Sequence, residues 1–223
     1  LEPVAANMGV VPPEKDFLEK IRKICTEEGT VLIFDEVITG FRLALGGAQE
    51  LLGIKPDLST FGKIIGGGMP VGAYGGKKEI MEVVAPLGPV YQAGTLSGNP
   101  VAMAAGITQL TYLKEHPDVY TKINALGERL YGGLEEIVKK AGAPCKVNHV
   151  GSIGTLYFTD QNVRDFASAK TADLKRYADY FKFMMDKGSY FAPAQFEAMF
   201  LSYAHTEADI DRTLAAAAEY FGV

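Results

Sequence analysis

The chain has 223 residues, 48% of them hydrophobic and 22% charged, with a formal net charge of −5. That composition belongs to a globular chain and excludes the charge-rich, aromatic-poor make-up of a disordered one. Lys and Arg are scattered rather than blocked, so no nucleic-acid footprint is expected, and no apolar run reaches membrane-spanning length.

The opening residues LEPVAANMGVVPPE read as the interior of a domain, and no signal-peptide pattern starts the chain. Pro12 and Pro13 precede a segment whose apolar residues Phe17, Leu18, Ile21, Ile24 and Cys25 fall on one helical stripe, closed by Gly29. Val31 to Phe34 is apolar without alternation, the pattern of a parallel strand covered on both faces. Asp35 and Glu36 stand where that run stops. Ligands of open α/β sheets bind beyond the carboxyl ends of strands, so Asp35 is placed for such a crevice.

A short glycine-closed helix is expected over GGAQELLGI, a second strand over 58–61, and then Lys63 just ahead of Gly66-Gly67-Gly68. A third strand follows over 71–74 and a helix over 77–84. The stretch 86–100, PLGPVYQAGTLSGNP, holds too many turn formers for a regular element, and a long ordered loop is often functional. Asn99-Pro100 opens a helix over 100–114 whose small residues suit close packing. Another helix covers 118–141, ended by Gly142.

Strands then fall over 147–150 and 153–159, an amphipathic helix over 171–187, and short strand candidates at Tyr190-Phe191 and 200–203. Thr206 with Asp209 forms a capping box for the last helix. These patterns predict an α/β part over 1–113 and a smaller α+β part over 114–223. Two widely separated cysteines, Cys25 and Cys145, give no disulfide framework, so a reduced, cytoplasmic compartment is the expectation.

Lys63 and Asp35 carry the chemistry worth testing. A lysine amine is a nucleophile when neutral, and the glycines beside Lys63 leave room for a ligand. The plainer reading of Lys63 is a surface lysine in a turn, and that of Asp35 is an acid capping the next turn. Taken together they also fit pyridoxal phosphate, with the lysine forming a Schiff base and the carboxylate holding the pyridinium proton. Rival sites are poorly supported. GxGxxG, GxxxxGK[ST] and GxSxG are all absent. His116, His149 and His205 lack metal-ligand spacing, so no metal is expected.

The wording of the motifs goes further than their spacing. VLIFDEVITGFR followed by TFGKIIGGGMPVGAYGG resembles the class-III pyridoxal-phosphate aminotransferase family. The GPVYQAGTLSGNP loop and APAQFEAMF resemble the branch of that family which moves an amino group within one substrate molecule. The resemblance spans the whole chain and matches the C-terminal half of the family pattern. It implies the C-terminal part of a fold-type I large domain, mostly parallel, followed by a small α+β domain.

It further implies Lys63 as the residue bonded to pyridoxal 5'-phosphate and as the proton carrier, and Asp35 as the partner of the ring nitrogen. Val37 would pack on one ring face. Gly94 and Thr95 would bind the cofactor phosphate of the neighbouring subunit of a homodimer, and Asn7 would line the cofactor pocket. Glu197 stands where many family members carry an arginine for a substrate carboxylate, and so favours an amino group instead. The cycle would use the pyridoxamine form. Two other readings stay open: an aminotransferase using a 2-oxo acid, and a folded fragment without activity. These residues alone, without the upstream half of the family pattern, are expected to hold cofactor weakly and not to turn over. A plastid location is the alternative to the cytoplasm if the source is photosynthetic.

Overall fold

A computed structural model describes all 223 residues. The chain divides into two compact units, Leu1–Pro3 with Lys15–Pro117, and Val4–Glu14 with Asp118–Val223.

The first unit opens with α1 (Phe17–Glu27), β1 (Ile33–Asp35), α2 (Gly47–Leu52) and β2 (Leu58–Phe61). A single 3-10 turn over Lys63–Gly66 leads to β3 (Ala73–Gly76), the short α3 (Lys78–Met81) and α4 (Pro100–Glu115). β1 and β2 run parallel, with Asp35 beside Thr60, while β3 adds antiparallel to β2. The sheet of this unit is therefore mixed, with its parallel pair on the side that carries Asp35. Segment 86–100 forms no regular element before α4, apart from Pro100 itself.

Leu32 and Phe34 point into a core with Leu18 and Ile54, against which Ile21, Cys25 and Leu52 pack. Val31 and Ile33 point the other way and are 46% and 42% exposed. Within these residues one face of the apolar run is covered and the other is open.

Asp57 pins the unit together from the turn before β2. Its carboxylate, 4% exposed, accepts from Arg22 on α1 at 2.7 Å, from Lys77 at 2.6 Å and from the Leu32 amide at 2.7 Å. Burial disfavours the charge, but the bonds from Lys77, the Leu32 amide and Arg22 outweigh it and hold the carboxyl well below the usual carboxylate range. A depressed folded pKa means that the stabilisation is complete above the unfolded value of about 4 and drains away as pH falls toward the folded value. Asp57→Ala is expected to cost about 2–3 kcal/mol at neutral pH, because its cationic partners stay partly solvated. The variant should also flatten the acid limb of the stability curve below about pH 4. Chemical denaturation across pH checks both points.

The second unit contains α5 (Asp118–Lys140), β4 (Lys146–Val150), β5 (Ile153–Tyr157), α6 (Phe166–Ala169), α7 (Leu174–Asp186), β6 (Met199–Phe200) and α8 (Glu207–Phe221). Its sheet is antiparallel in the order β4-β5-β6, and every residue of β5 is buried. Leu126, Leu130, Tyr131, Leu134 and Val138 of α5 meet Leu156, Tyr177, Tyr180, Met184 and Ile210 in an aromatic-rich core. The Thr206–Asp209 capping box is present at the start of α8. Tyr190-Phe191 is irregular and β6 is confined to two residues.

Composition places the unit boundary at 113/114, whereas the structure divides at Pro117/Asp118 and moves Val4–Glu14 into the second unit. The reason is a set of side chains far along the chain. Thr155 Oγ1 accepts the Val10 amide, Asn148 donates to the Val10 carbonyl, and Tyr157 donates to the Met8 carbonyl.

Candidate active site

The carboxyl edge of the parallel pair gathers three of the predicted residues. Asp35 ends β1, and its neighbour Glu36 donates its amide to the Thr60 carbonyl of β2 at 2.9 Å. The chain leaves β2 at Phe61, and Gly62 and Lys63 follow over the same edge. Both Asp35 and Lys63 are exposed, and neither is held in an ion pair. Asp35 Oδ1 accepts the Val37 amide at 3.0 Å, which turns the chain just past the strand end. A Cβ on Gly62 would lie 3.2 Å from Val37 Cγ1, so the valine side chain sits directly against the approach to Lys63. A carboxylate, an apolar side chain and an amine on one edge fit a flat heteroaromatic ring with a polar nitrogen and an electrophilic carbon.

Lys63 has φ +48, a left-handed conformation that costs a non-glycine residue about 1 kcal/mol. The surroundings hold it there. A Cβ on Gly106 of α4 would lie 2.4 Å from the Ile65 carbonyl oxygen, and one on Gly67 would lie 2.5 Å from that of Ala105. Only glycines let the lysine turn and α4 approach so closely. Of the triple glycine, Gly67 thus serves close packing against α4, whereas a Cβ on Gly68 would meet nothing within 4 Å, which leaves the open space that the pattern predicts.

Glu36 is an anchor that its position in the sequence does not reveal. It is fully buried, and accepts from Thr39 Oγ1 at 2.7 Å and from the amides of Ala48 and Gln49 at 2.8 and 3.0 Å. The first turn of α2 is thereby tied to the residue next to Asp35. A buried acid whose oxygens meet several donors is satisfied and acts as a structural tie. The only hint in the sequence is an acid pair at the end of an apolar run.

Gly94 and Thr95 lie in the exposed loop ahead of α4. The Gly94 carbonyl accepts the Ser97 amide at 2.9 Å, and Asn99 caps the helix by accepting from Val101 and Ala102. Asn7 and Glu197 belong to the second unit. Asn7 is exposed at the tip of a tight loop closed by the Val11 amide on the Ala5 carbonyl at 2.8 Å. Glu197 is exposed in the irregular segment before β6. The structure thus brings Asp35, Val37 and Lys63 together, and sets Asn7 and Glu197 on a different unit.

The class-III aminotransferase profile matches residues 1–216. The chain belongs to the class-III aminotransferase family. It is 66% identical over 214 residues to glutamate-1-semialdehyde 2,1-aminomutase 1 of Lachnoclostridium phytofermentans, covering 96% of this chain and 50% of that protein. It is 59% identical to the glutamate-1-semialdehyde 2,1-aminomutase of Persephonella marina, covering 99% of this chain and 51% of the relative. Among solved structures, a β-phenylalanine aminotransferase from Variovorax paradoxus superposes with a TM-score of 0.90 at 33% identity, over 100% of this chain and 51% of the other. The chain spans about half the length of the curated relatives it matches. The α/β fold expected from the sequence is that of this family.

Proposed function

We propose that this protein converts glutamate-1-semialdehyde, (S)-4-amino-5-oxopentanoate, to 5-aminolevulinate by an intramolecular exchange of amino groups with pyridoxal 5'-phosphate, a step of tetrapyrrole (porphyrin) synthesis. The observation that carries the reading is the shared edge of Asp35, Val37 and Lys63, in a chain 66% identical to an aminomutase. When bound, the cofactor supplies a protonated ring that takes up the electron pair left as a proton departs from a substrate carbon. Asp35 holds the proton on the ring nitrogen, because a carboxylate nearby favours the charged form. Val37 packs on one ring face and keeps water from it. Lys63 Nζ anchors the cofactor and, once released, carries a proton from one carbon to another as a general base and then acid.

Glu197 supports the mutase over a transaminase. An exposed carboxylate repels the carboxylate of a 2-oxo acid and attracts an amino group, and the aminomutase substrate carries nitrogen at either of two carbons during the exchange. Asn7, exposed at the tip of its loop, offers a polar side chain to the cofactor.

The loop that carries Gly94 and Thr95 supports a homodimer. Leu87, Tyr91 and Leu96 are 77%, 82% and 61% exposed, and Val101 and Ile107 on α4 are 61% and 66% exposed. A run of large apolar residues open to water marks a surface meant to be covered. Seated on a second subunit, Gly94 and Thr95 would donate to that subunit's cofactor phosphate. Cys25 and Cys145 are free thiols, as suits a cytoplasmic enzyme, and no helix is long and apolar enough to cross a membrane.

The test supplies the intact protein with glutamate-1-semialdehyde and no 2-oxo acid. Formation of 5-aminolevulinate is the expected result. Product that appears only after a 2-oxo acid is added would make it a transaminase. No product, and no cofactor absorbance in the visible range, would sink both enzyme readings.

A further inference from the structure

Thr155 stands at the centre of β5, 2% exposed, with its hydroxyl between two segments that no main-chain ladder joins to it. Oγ1 accepts the Val10 amide at 3.0 Å and donates to the Glu197 carbonyl at 3.2 Å. One hydroxyl can do both at once, having one donor and two acceptor positions. The β5–β6 ladder ends at Gly154↔Met199, so the chain on the Glu197 side of Met199 lies off the sheet.

Side chains replace the missing ladder. Gln195, 2% exposed, accepts the Phe158 amide at 3.0 Å and donates to the Leu156 carbonyl at 2.8 Å. Glu197 thus hangs between Gln195 on one side and the Thr155 hydroxyl on its own carbonyl, and the residue itself is exposed.

The other segment is gripped by the same face of β5. Residues two apart on a strand share a face, so Tyr157 lies beside Thr155. Its hydroxyl reaches the Met8 carbonyl at 3.1 Å, and burial keeps the phenol protonated and donating. Gly9, at φ +78, has no room for a Cβ, which would meet that hydroxyl at 2.2 Å. The loop with Asn7 at its tip is therefore held closely by β5.

We infer that Thr155 is a positioning residue that links the Asn7 loop and the Glu197 segment through one buried hydroxyl, so that the two proposed ligand contacts are set as a pair. The inference rests on the substrate and cofactor roles proposed above for Glu197 and Asn7. Those two residues are 190 positions apart (197 − 7), and Thr155 is bonded to the segment of each.

The experiment compares Thr155→Val and Thr155→Ser in the intact protein, with Gln195→Leu as the control. Valine keeps the shape and removes both bonds, whereas serine keeps the hydroxyl. Hydrogen exchange followed on peptides over 5–11 and 194–199 should speed up about tenfold in both segments for Thr155→Val, and stay near wild type for Thr155→Ser. Gln195→Leu should loosen 194–199 and leave 5–11 unchanged. KM for glutamate-1-semialdehyde should rise about tenfold in Thr155→Val with kcat within about threefold, a split that simple loss of folded enzyme does not produce.

Faster exchange in only one segment for Thr155→Val, failure of serine to restore, or loosening of 5–11 by Gln195→Leu would overturn the inference. A fall in kcat at constant KM would do the same. If the valine variant does not fold, Thr155→Cys takes its place, since a thiol bonds weakly in both directions. Should the wild type form no 5-aminolevulinate, the functional reading fails on that result alone, and the exchange measurements still decide the linkage.

Discussion

Lys63→Ala is expected to lower turnover on the order of 10^4-fold or more while leaving the fold intact. Lys63 is exposed and outside any ion pair, so its removal takes no buried contact with it. Its left-handed backbone, φ +48, is as unfavourable for alanine as for lysine, and the shift in stability should stay within about 0.5 kcal/mol. Lys63→Gly extends the test, because glycine relieves the strain. That variant should melt no lower than the wild type and be equally inactive. Strain kept at a lysine where glycine would be easier is what a functional residue shows when its surroundings impose the conformation. Parallel measurement of turnover and thermal melting checks the separation. An alanine variant with more than about a tenth of wild-type turnover would remove Lys63 from the chemistry.

Asp35→Asn should cost about 10^2- to 10^4-fold in turnover at unchanged stability. The side-chain oxygen of asparagine still accepts the Val37 amide, which Asp35 Oδ1 does at 3.0 Å, so the turn past β1 survives. What asparagine lacks is the negative charge that keeps a ring nitrogen protonated. Asp35→Glu keeps the charge but adds a methylene, and so should retain part of the activity. Asparagine and glutamate variants equally impaired would assign Asp35 a role in shape alone. Wild-type turnover in Asp35→Asn would remove the residue from the site.

Local pattern makes much of this legible. Asn99-Pro100 and Gly142 bracket α4 and α5 because a capping side chain and a left-handed glycine act within one turn of the helix end. The acid and the lysine are visible as candidates because both stand where an apolar run stops. Their shared edge follows from the parallel pairing of Asp35 with Thr60, which places the ends of both strands together.

The parts that escape a sequence reading are held by distant partners. Arg22, Asp57 and Lys77 form one charge cluster around a buried carboxylate, and no local pattern pairs them. Residues 1–13 read as a strand end and loop of the α/β part, yet Thr155, Asn148 and Tyr157 claim 4–14 for the other unit from more than a hundred positions away. The glycines around Lys63 suggest space for a ligand. Gly67 instead admits the backbone of α4 while Gly68 does face open space, a difference that composition cannot show.

The central claim is that the edge formed by Asp35, Val37 and Lys63 holds pyridoxal phosphate through Lys63. Reducing the intact, cofactor-loaded protein with borohydride and mapping its peptides tests this most directly, because reduction makes the attachment permanent. The phosphopyridoxyl mass should appear on the peptide that contains Lys63 and on no other. The same mass on a different lysine, or on none after loading with cofactor, would contradict the account.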